Sequence, residues 1–538
     1  MSTLTSWRMS PGWLKLALAT LLLLGILFRF VSLDGKIYWH DEAYTSLRAA
    51  GYLGVEVDEA LFQNQIVAAP SLQQFQTIKP GSTVADTVRS LAVDVPQHPP
   101  LYFVMARFWM QWFGGSVAAS RALAAVISLF SLPAMYLLGA ELFQSRLVGA
   151  IAAVLLALSP FDILFAETSR QYSLQTFLII LSSWLLLRAA RQRYRWLWGL
   201  YALTVAAGLY TQPLIVLTWI AHGLYVVGRC AAEPARGTFA RLKHGSRWQP
   251  LWGYGVAMAI AFLLFAPWLW VFMTNVGQVV ATSSWTSSPM GLDRLAKFWL
   301  LSFTSLFIDL DFGFENPMTF LLRLPFLVLI LGGFYRVCRR TALPVWLFLL
   351  TMGVVPFILI ALPDLILGGQ RSAITRYLNP CFPAIQLIVA YWLTQDFVLS
   401  KTQGRRWVLP VLLTASIVSN TMSSMATSWW SKDLSYPNDK IVSYLNQAQP
   451  TVLISDVGDT FTNRGDLLGL SHDLENEVFL LLLTQPPDLS VLDLASEERS
   501  LFVFRPSAAL TTVLESQGTL SPMADSGGNL WAFEPQDP

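Results

Sequence analysis

Between residues 13 and 427 the hydrophobic pattern is dominated by long apolar runs, not by alternation. A helix needs about 20 apolar residues to cross ~30 Å of hydrocarbon. Runs approaching that length cover 13–33, 119–142, 147–166, 173–190, 196–212, 213–228, 250–272, 317–337, 343–363, 377–396 and 407–427. A further stretch, 99–113 ("PPLYFVMARFWMQWF"), carries Arg107 at its middle and is short for a span. After Trp430 the pattern changes, and Asp, Glu, Asn, Ser and Pro return. There "TVLISD", "VFLLLL", "SLFVF" and "NLWAF" read as short buried strands between helical or turn-like stretches. The prediction is an α-helical polytopic membrane protein with about 11 transmembrane helices over 1–427 and outer juxtamembrane helices. A small C-terminal α/β domain follows at 428–538.

Composition agrees: hydrophobic residues make up 54% and charged residues 13% of the chain, with a mean hydropathy of +0.49. An average soluble domain carries roughly 25% charged residues. The net charge of +2 makes no case for nucleic acid. The run at 13–33 ends in "LFRFVSLDGKIYW" without an Ala-x-Ala pattern, so it is expected to stay as a first helix. Three cysteines, Cys230, Cys338 and Cys381, build neither a disulfide framework nor a zinc site.

Where the positive charges lie decides the topology. The clusters are Arg188/Arg191/Arg193/Arg195, Arg229/Arg236/Arg241/Lys243/Arg247, Arg336/Arg339/Arg340 and Lys401/Arg405/Arg406. If 99–113 does not cross, all four fall on the N-terminal side with Arg8 and Lys15, as the positive-inside rule requires. That segment then becomes an amphipathic helix on the outer interface, with Trp109 and Trp112 at headgroup depth. Residues 34–118, 167–172, 273–316, 364–376 and the tail face outward.

On this topology Arg29, Arg121, Asp162 and Arg323 sit towards the outer ends of their helices. Outer loops add Asp41, Glu42, His98, Glu167, Arg170, Arg371 and Arg376. Each has a plain reading. A lone Arg at a helix end, such as Arg29 or Arg323, ordinarily snorkels to headgroups. The Asp41–Glu42 pair in "WHDEAYTS" suits the positive end of a helix dipole. In "HPPLY" two prolines can open a helix and leave His98 as an ordinary polar residue. "AETSRQYS" can be a polar connector with a local Glu–Arg pair. Yet a transporter would place its polar groups near the midplane, on broken helices within repeated halves. The concentration at one interface points instead to chemistry on a lipid-borne or exported molecule.

The ordered set "WHDEAYTS", "QHPPLYF", "SPFDILFAETSRQYSL" and "TRYLNPCFP" resembles the polyprenyl-phosphate-sugar-dependent glycosyltransferases of the C-type superfamily. Its nearest branches are the bacterial relatives of protein O-mannosyltransferase and of the lipid A aminoarabinose transferase. The likeness spans about residues 10–427. Relatives usually read "SQEARMYSL" where this chain reads "AETSRQYSL", which sets Glu167 and Arg170 one residue further apart. The resemblance implies transfer of a sugar from a polyprenyl-phosphate donor to a lipid, glycan or protein acceptor outside the cytoplasmic (inner) membrane. It also implies inversion at the anomeric carbon and no covalent enzyme intermediate.

Such a transfer needs a base for the acceptor and positive charge for the departing phosphate. A carboxylate at a membrane interface is partly desolvated, which raises its proton affinity and suits a general base. Matching to the family's acidic pair makes Asp41 the base, with Glu42 orienting Asp41, the acceptor or a basic partner. Arginine binds phosphate through paired donors; Arg376 and Arg170 lead as donor-phosphate ligands, followed by Arg371. The resemblance further implies substrate contacts by His98, Tyr102, Glu167, Tyr172 and Tyr377. His40, Asp41, Glu42 and His98 offer ligands for a divalent cation, but the mannosyltransferase branch implies neither metal nor cofactor. Two alternatives stand: a lipid-linked sugar flippase or exporter, and an outer-face polymer ligase using a pyrophosphate-linked glycan.

Overall fold

The computed structural model describes residues 12–192, 194–232, 248–398, 407–458, 462–487 and 499–536. Of the basic clusters, Arg8, Arg193, Arg236, Arg241, Lys243, Arg247, Lys401, Arg405 and Arg406 lie outside the described residues. All eleven apolar runs contain helix among the described residues. Among the described residues seven helices are long and apolar enough to cross a membrane, or eight if the bent pair Arg146–Leu158 and Pro160–Ala166 is one span. Gly12–Phe28 and Phe382–Val398 have 17 residues each and Arg195–Leu209 has 15. Gly12–Phe28 begins, and Phe382–Val398 ends, at the edge of the described residues. Pro380 lies in a 3-10 helix, Thr375–Cys381, and α-helix begins only at Phe382.

The chain divides into two compact units. The first joins Met1–Val31, Val95–Tyr102 and Ala124–Ser424; the second joins Ser32–Asp94, Phe103–Leu123 and Met425–Pro538.

In the first unit the bent pair turns by 57°, because Pro160 ends one helix and starts the next with Ser159 as its cap. A helix end leaves its last carbonyls without intrahelical partners. Arg29 takes two of them, donating to Ala157 O at 2.5 Å and Leu156 O at 3.1 Å, while Asn420 Nδ2 donates to Leu158 O at 2.9 Å. Gly25 permits this approach, since a Cβ there would lie 2.4 Å from Ala157 O. Arg29 therefore does not snorkel; it is buried against the C-terminal end of the helix Arg146–Leu158. Arg323 is buried likewise, 2.7 Å from Asp309 and donating to Ile308 O at 2.8 Å. Both side chains meet unsatisfied acceptors inside the protein, which replace the headgroups.

The second unit holds a six-stranded sheet of β1 (Gln65–Ala68), β2 (Thr451–Asp456), β3 (Val478–Leu483), β4 (Ser500–Phe504), β5 (Gly518–Pro522) and β6 (Leu530–Pro535). Its order is β1-β3-β2-β4-β6-β5. β2 pairs in parallel with β3 and β4, and the remaining pairs are antiparallel. Successive side chains point to opposite faces, and both faces are covered. Leu480, Leu482, Phe502 and Phe504 join Tyr38, Leu47, Leu72 and Leu467 in one core, while Leu481, Leu483, Leu501 and Val503 pack against Leu510 and Leu514 in the other. Two buried faces explain a run such as "VFLLLL". The sheet is thus not confined to 428–538: β1 comes from the first loop, and Ile37 N–H donates to Thr427 O at 2.9 Å.

The 99–113 stretch forms a 13-residue helix, Leu101–Phe113, about 20 Å long. Arg107, at its middle, is buried and donates to the carbonyls of Ala49, Ala50 and Ser82. Trp112 is exposed, and Trp109 Nε1 donates to Ala119 O at 2.8 Å.

Candidate active site

The acidic pair opens the helix His40–Ala50, behind Trp39 as N-cap. Its two carboxylates have different surroundings. Glu42 is completely buried and faces two cations. Oε1 accepts from Arg121 Nε at 2.8 Å; Oε2 accepts from Arg121 Nη2 at 2.9 Å, Lys432 Nζ at 2.8 Å and Trp39 N–H at 3.2 Å. The last bond is half of a capping box, with Glu42 at the third helical position. Arg121 gives its remaining donors to Leu33 O, Lys36 O and Ile37 O at 2.8–2.9 Å. Every N–H of that guanidinium is used. Burial alone would raise the Glu42 carboxyl, but the Arg121 and Lys432 charges and hydrogen bonds outweigh it and hold it well below the usual carboxylate range. Glu42 is thus an ionised clamp that ties the loop before the helix to two distant segments.

Asp41 keeps 21% of its side chain exposed, with Oδ1 3.8 Å from His40 Nε2. It is the carboxylate of the pair that reaches solvent, and it lies in the first turn of the helix.

The other eight expected residues belong to the first unit. His98, half-buried, follows the turn in which its N–H donates to Val95 O at 2.8 Å. Tyr102 is fully buried. Glu167 ends the helix Pro160–Ala166, and Arg170 lies in the buried turn after it. Tyr172 starts the helix Tyr172–Gln192 and meets Phe165 edge-on, ring centroids 5.0 Å apart. Arg376 and Tyr377 sit half-buried on the 3-10 helix Thr375–Cys381, with the guanidinium 5.9 Å from the Tyr377 ring. Arg371 is differently placed, 3.3 Å from Asp364 and donating to Ser287 Oγ at 2.5 Å.

Two of these motifs are fastened together. Thr176 Oγ1 donates to Asn379 Oδ1 at 3.1 Å, and Asn379 Nδ2 is 3.0 Å from Thr176 Oγ1. This joins the segment after Arg170 to the helix bearing Arg376. Beside it, Gln171 and Gln175 are buried with no hydrogen-bond partner for either amide atom among the described residues. Their spacing, four residues apart at the head of an apolar run, was a signal available in the sequence. Arg121 and Lys432 were not legible as partners of Glu42, because they lie 79 and 390 positions away. Among the described residues no three His, Cys, Asp or Glu side chains gather as a metal set. Of the four candidate ligands, Glu42 has its oxygens committed to cations and His40 has Nδ1 at 3.0 Å from Ser435 Oγ.

Residues 97–271 match the family described as dolichyl-phosphate-mannose-protein mannosyltransferase. No curated protein matches the chain. Among solved structures, ArnT from Cupriavidus metallidurans bound to undecaprenyl phosphate is 12% identical with a TM-score of 0.54, covering 98% of this chain and 99% of that one. The same protein in its apo state gives 13% identity and a TM-score of 0.53 over the same shares. The archaeal oligosaccharyltransferase AglB from Archaeoglobus fulgidus, in complex with an inhibitory peptide and a dolichol-phosphate, is similar at 13% identity, covering 98% of this chain and 74% of that one with a TM-score of 0.44. The chain is therefore a multi-pass membrane protein with the fold of the C-type glycosyltransferases, and its residues 97–271 match the protein mannosyltransferase family.

Proposed function

We propose that this protein transfers a sugar from a polyprenyl-phosphate carrier to an acceptor at the outer face of the cytoplasmic membrane, in one displacement that inverts the anomeric carbon. The observation that carries the reading is the division of labour within the acidic pair. Glu42 is saturated by two cations, and Asp41 beside it is the solvent-reaching carboxylate on a rigid helix start. A base needs an accessible carboxylate held by fixed neighbours, and this loop provides one. Asp41 takes the acceptor's proton as the acceptor oxygen bonds to the anomeric carbon. The sugar–phosphate bond breaks with its electron pair going to the phosphate. Arg376 and Arg170 hold that phosphate through paired donors. Arg371, tied to Asp364 and Ser287, serves it less directly. His98, Tyr102, Glu167, Tyr172 and Tyr377 shape the sugar and acceptor subsites, and no metal or cofactor enters the reading.

A phosphate-linked polyprenyl donor is supported by ArnT, whose structure of the same fold holds undecaprenyl phosphate. The test is incubation of membranes containing the protein with undecaprenyl-phosphate-linked mannose, glucose or aminoarabinose. Release of undecaprenyl phosphate together with a newly glycosylated product is expected. Movement of intact lipid-linked sugar across the membrane without cleavage would favour a flippase instead.

A further inference from the structure

We infer that His40 is a positioning residue that receives the proton from Asp41, and that Ser435 and Asp466 of the C-terminal segment fix its tautomer for that task. The inference rests on the reading of Asp41 as the base. All of its residues lie in the second unit.

The argument is one of counting hydrogens. His40 is buried. Its backbone N–H donates to Ser435 Oγ at 3.2 Å, and its Nδ1 lies 3.0 Å from the same oxygen. Ser435 has a single hydroxyl hydrogen, which it donates to Asp466 Oδ1 at 2.5 Å. That carboxylate is itself anchored, accepting from Asn438 Nδ2 at 2.9 Å and from Arg505. With its hydrogen committed, Ser435 Oγ can only accept from the imidazole, so Nδ1 carries the proton. In a neutral imidazole the other nitrogen is then an acceptor. That nitrogen, Nε2, is the one facing Asp41 Oδ1 at 3.8 Å. A proton that arrives on Asp41 therefore has an acceptor lone pair within reach on this nitrogen. The gap is longer than a direct hydrogen bond, and catalytic bonds of this kind are often long before substrate binds.

The packing is built for this placement. Gly465, next to Asp466, lies so close that a Cβ there would come within 3.0 Å of His40 Cβ and 2.7 Å of Tyr44 Cε2. The Trp39 ring meets the imidazole edge-on, centroids 5.4 Å apart. In the reaction, the proton that Asp41 takes from the acceptor passes to His40 Nε2. The resulting imidazolium donates at both nitrogens, and the Ser435–Asp466 pair stabilises its charge. Departure of the product returns the proton to water and the imidazole to its starting tautomer. The C-terminal segment, without a chemical motif of its own, thus completes the acidic loop.

The first test is spectroscopic and needs no substrate. The chain has five histidines, so ring-15N-histidine labelling of the full protein gives a readable spectrum, with His40 assigned by its loss in His40→Asn. Wild type at neutral pH is expected to show His40 as the Nδ1–H tautomer, and Ser435→Ala to lose that preference. A wild-type Nε2–H tautomer would overturn the inference, whatever its variants do. The second test is turnover of undecaprenyl-phosphate-linked mannose, glucose or aminoarabinose. Asn keeps a donor for Ser435 but has nothing to offer Asp41, so His40→Asn is expected to fold normally and lose at least roughly tenfold. A purely structural histidine would tolerate Asn better than Gln, and wild-type turnover in His40→Asn would also overturn the inference. If Asp41→Asn is inactive while His40→Asn is not, the relay fails and the base survives. If Asp41→Asn is fully active, both fall.

Discussion

Replacing Glu42 with Gln removes one negative charge from a triad that otherwise holds two cations. The variant is nearly isosteric, so packing is kept and the change is electrostatic. Arg121 and Lys432, each about 1% exposed in their side chains, are left facing each other without an anion. Breaking a buried ion pair from one side costs about 3–5 kcal/mol, a large share of a typical total of about 5–15 kcal/mol. Lys432→Met is the internal control. It leaves Glu42 and Arg121 charge-balanced and still joined by two bonds, and it removes a buried ammonium, so the loss should be at most about 2 kcal/mol. The assay is denaturant unfolding in mild detergent, followed by tryptophan fluorescence. The expected order of stability is wild type, Lys432→Met, then Glu42→Gln. Equal losses in the two variants would refute the clamp. So would a Glu42→Gln protein of wild-type stability that is inactive, since Glu42 would then act on the substrate directly.

The pH dependence of the same clamp has a defined sign. The folded Glu42 carboxyl is depressed, so its contribution is complete above the ordinary glutamate value of about 4.3 and is lost as pH falls below that towards the folded value. Unfolding measured from pH 7 to pH 3 should show a loss in wild type at the acid end that is absent in Glu42→Gln. Asp41→Asn should keep the fold, because Asn is nearly isosteric and loses only the favourable charge in the first helical turn, about 0.3–1 kcal/mol, and lose roughly 10²–10⁴-fold in turnover; an active Asp41→Asn would remove the base. Arg376→Lys keeps the charge but loses the paired donors, so turnover with lipid-linked sugars should fall about ten- to a hundredfold; unchanged rates in both Arg376→Lys and Arg376→Ala would exclude a role on the donor phosphate. For orientation, Cys338 is exposed whereas Cys230 is buried. An impermeant thiol reagent should label Cys338 only after the membrane is opened, and labelling in intact cells would invert the topology.

Long apolar runs were legible because a helix surrounded by lipid or other helices needs no polar face, so the runs map directly onto helices. Among the described residues the helices long and apolar enough to span number seven or eight, and at residues 377–396 Pro380 lies in a 3-10 helix ahead of the α-helix Phe382–Val398. Apart from the mostly exposed β5 (Gly518–Pro522), the strands of the tail were legible as apolar runs. β1 was not: "QIVA" is four residues long and becomes a strand only by pairing with β3, more than 400 positions away. The acidic pair stood out by its setting in "WHDEAYTS" and the resemblance that motif carries, since Asp58–Glu59 repeats the dipeptide in the same loop. What separates Asp41 from Glu42 did not, since Arg121, Lys432, Ser435 and Asp466 meet these residues only through the tertiary fold. For the same reason Arg29 and Arg323 read as snorkelling side chains, although carbonyls and a carboxylate deep in the protein claim them.

The central claim, that Asp41 drives a single displacement on a polyprenyl-phosphate sugar, is most directly tested with a donor of defined anomeric configuration. Purified wild-type protein and Asp41→Asn would each be incubated with stereochemically pure undecaprenyl-phosphate sugar and membrane-derived acceptor, and the anomeric proton of the product read by NMR. The account predicts an inverted product from wild type and none above background from Asp41→Asn. A product with retained configuration, or one formed by Asp41→Asn at the wild-type rate, would contradict it.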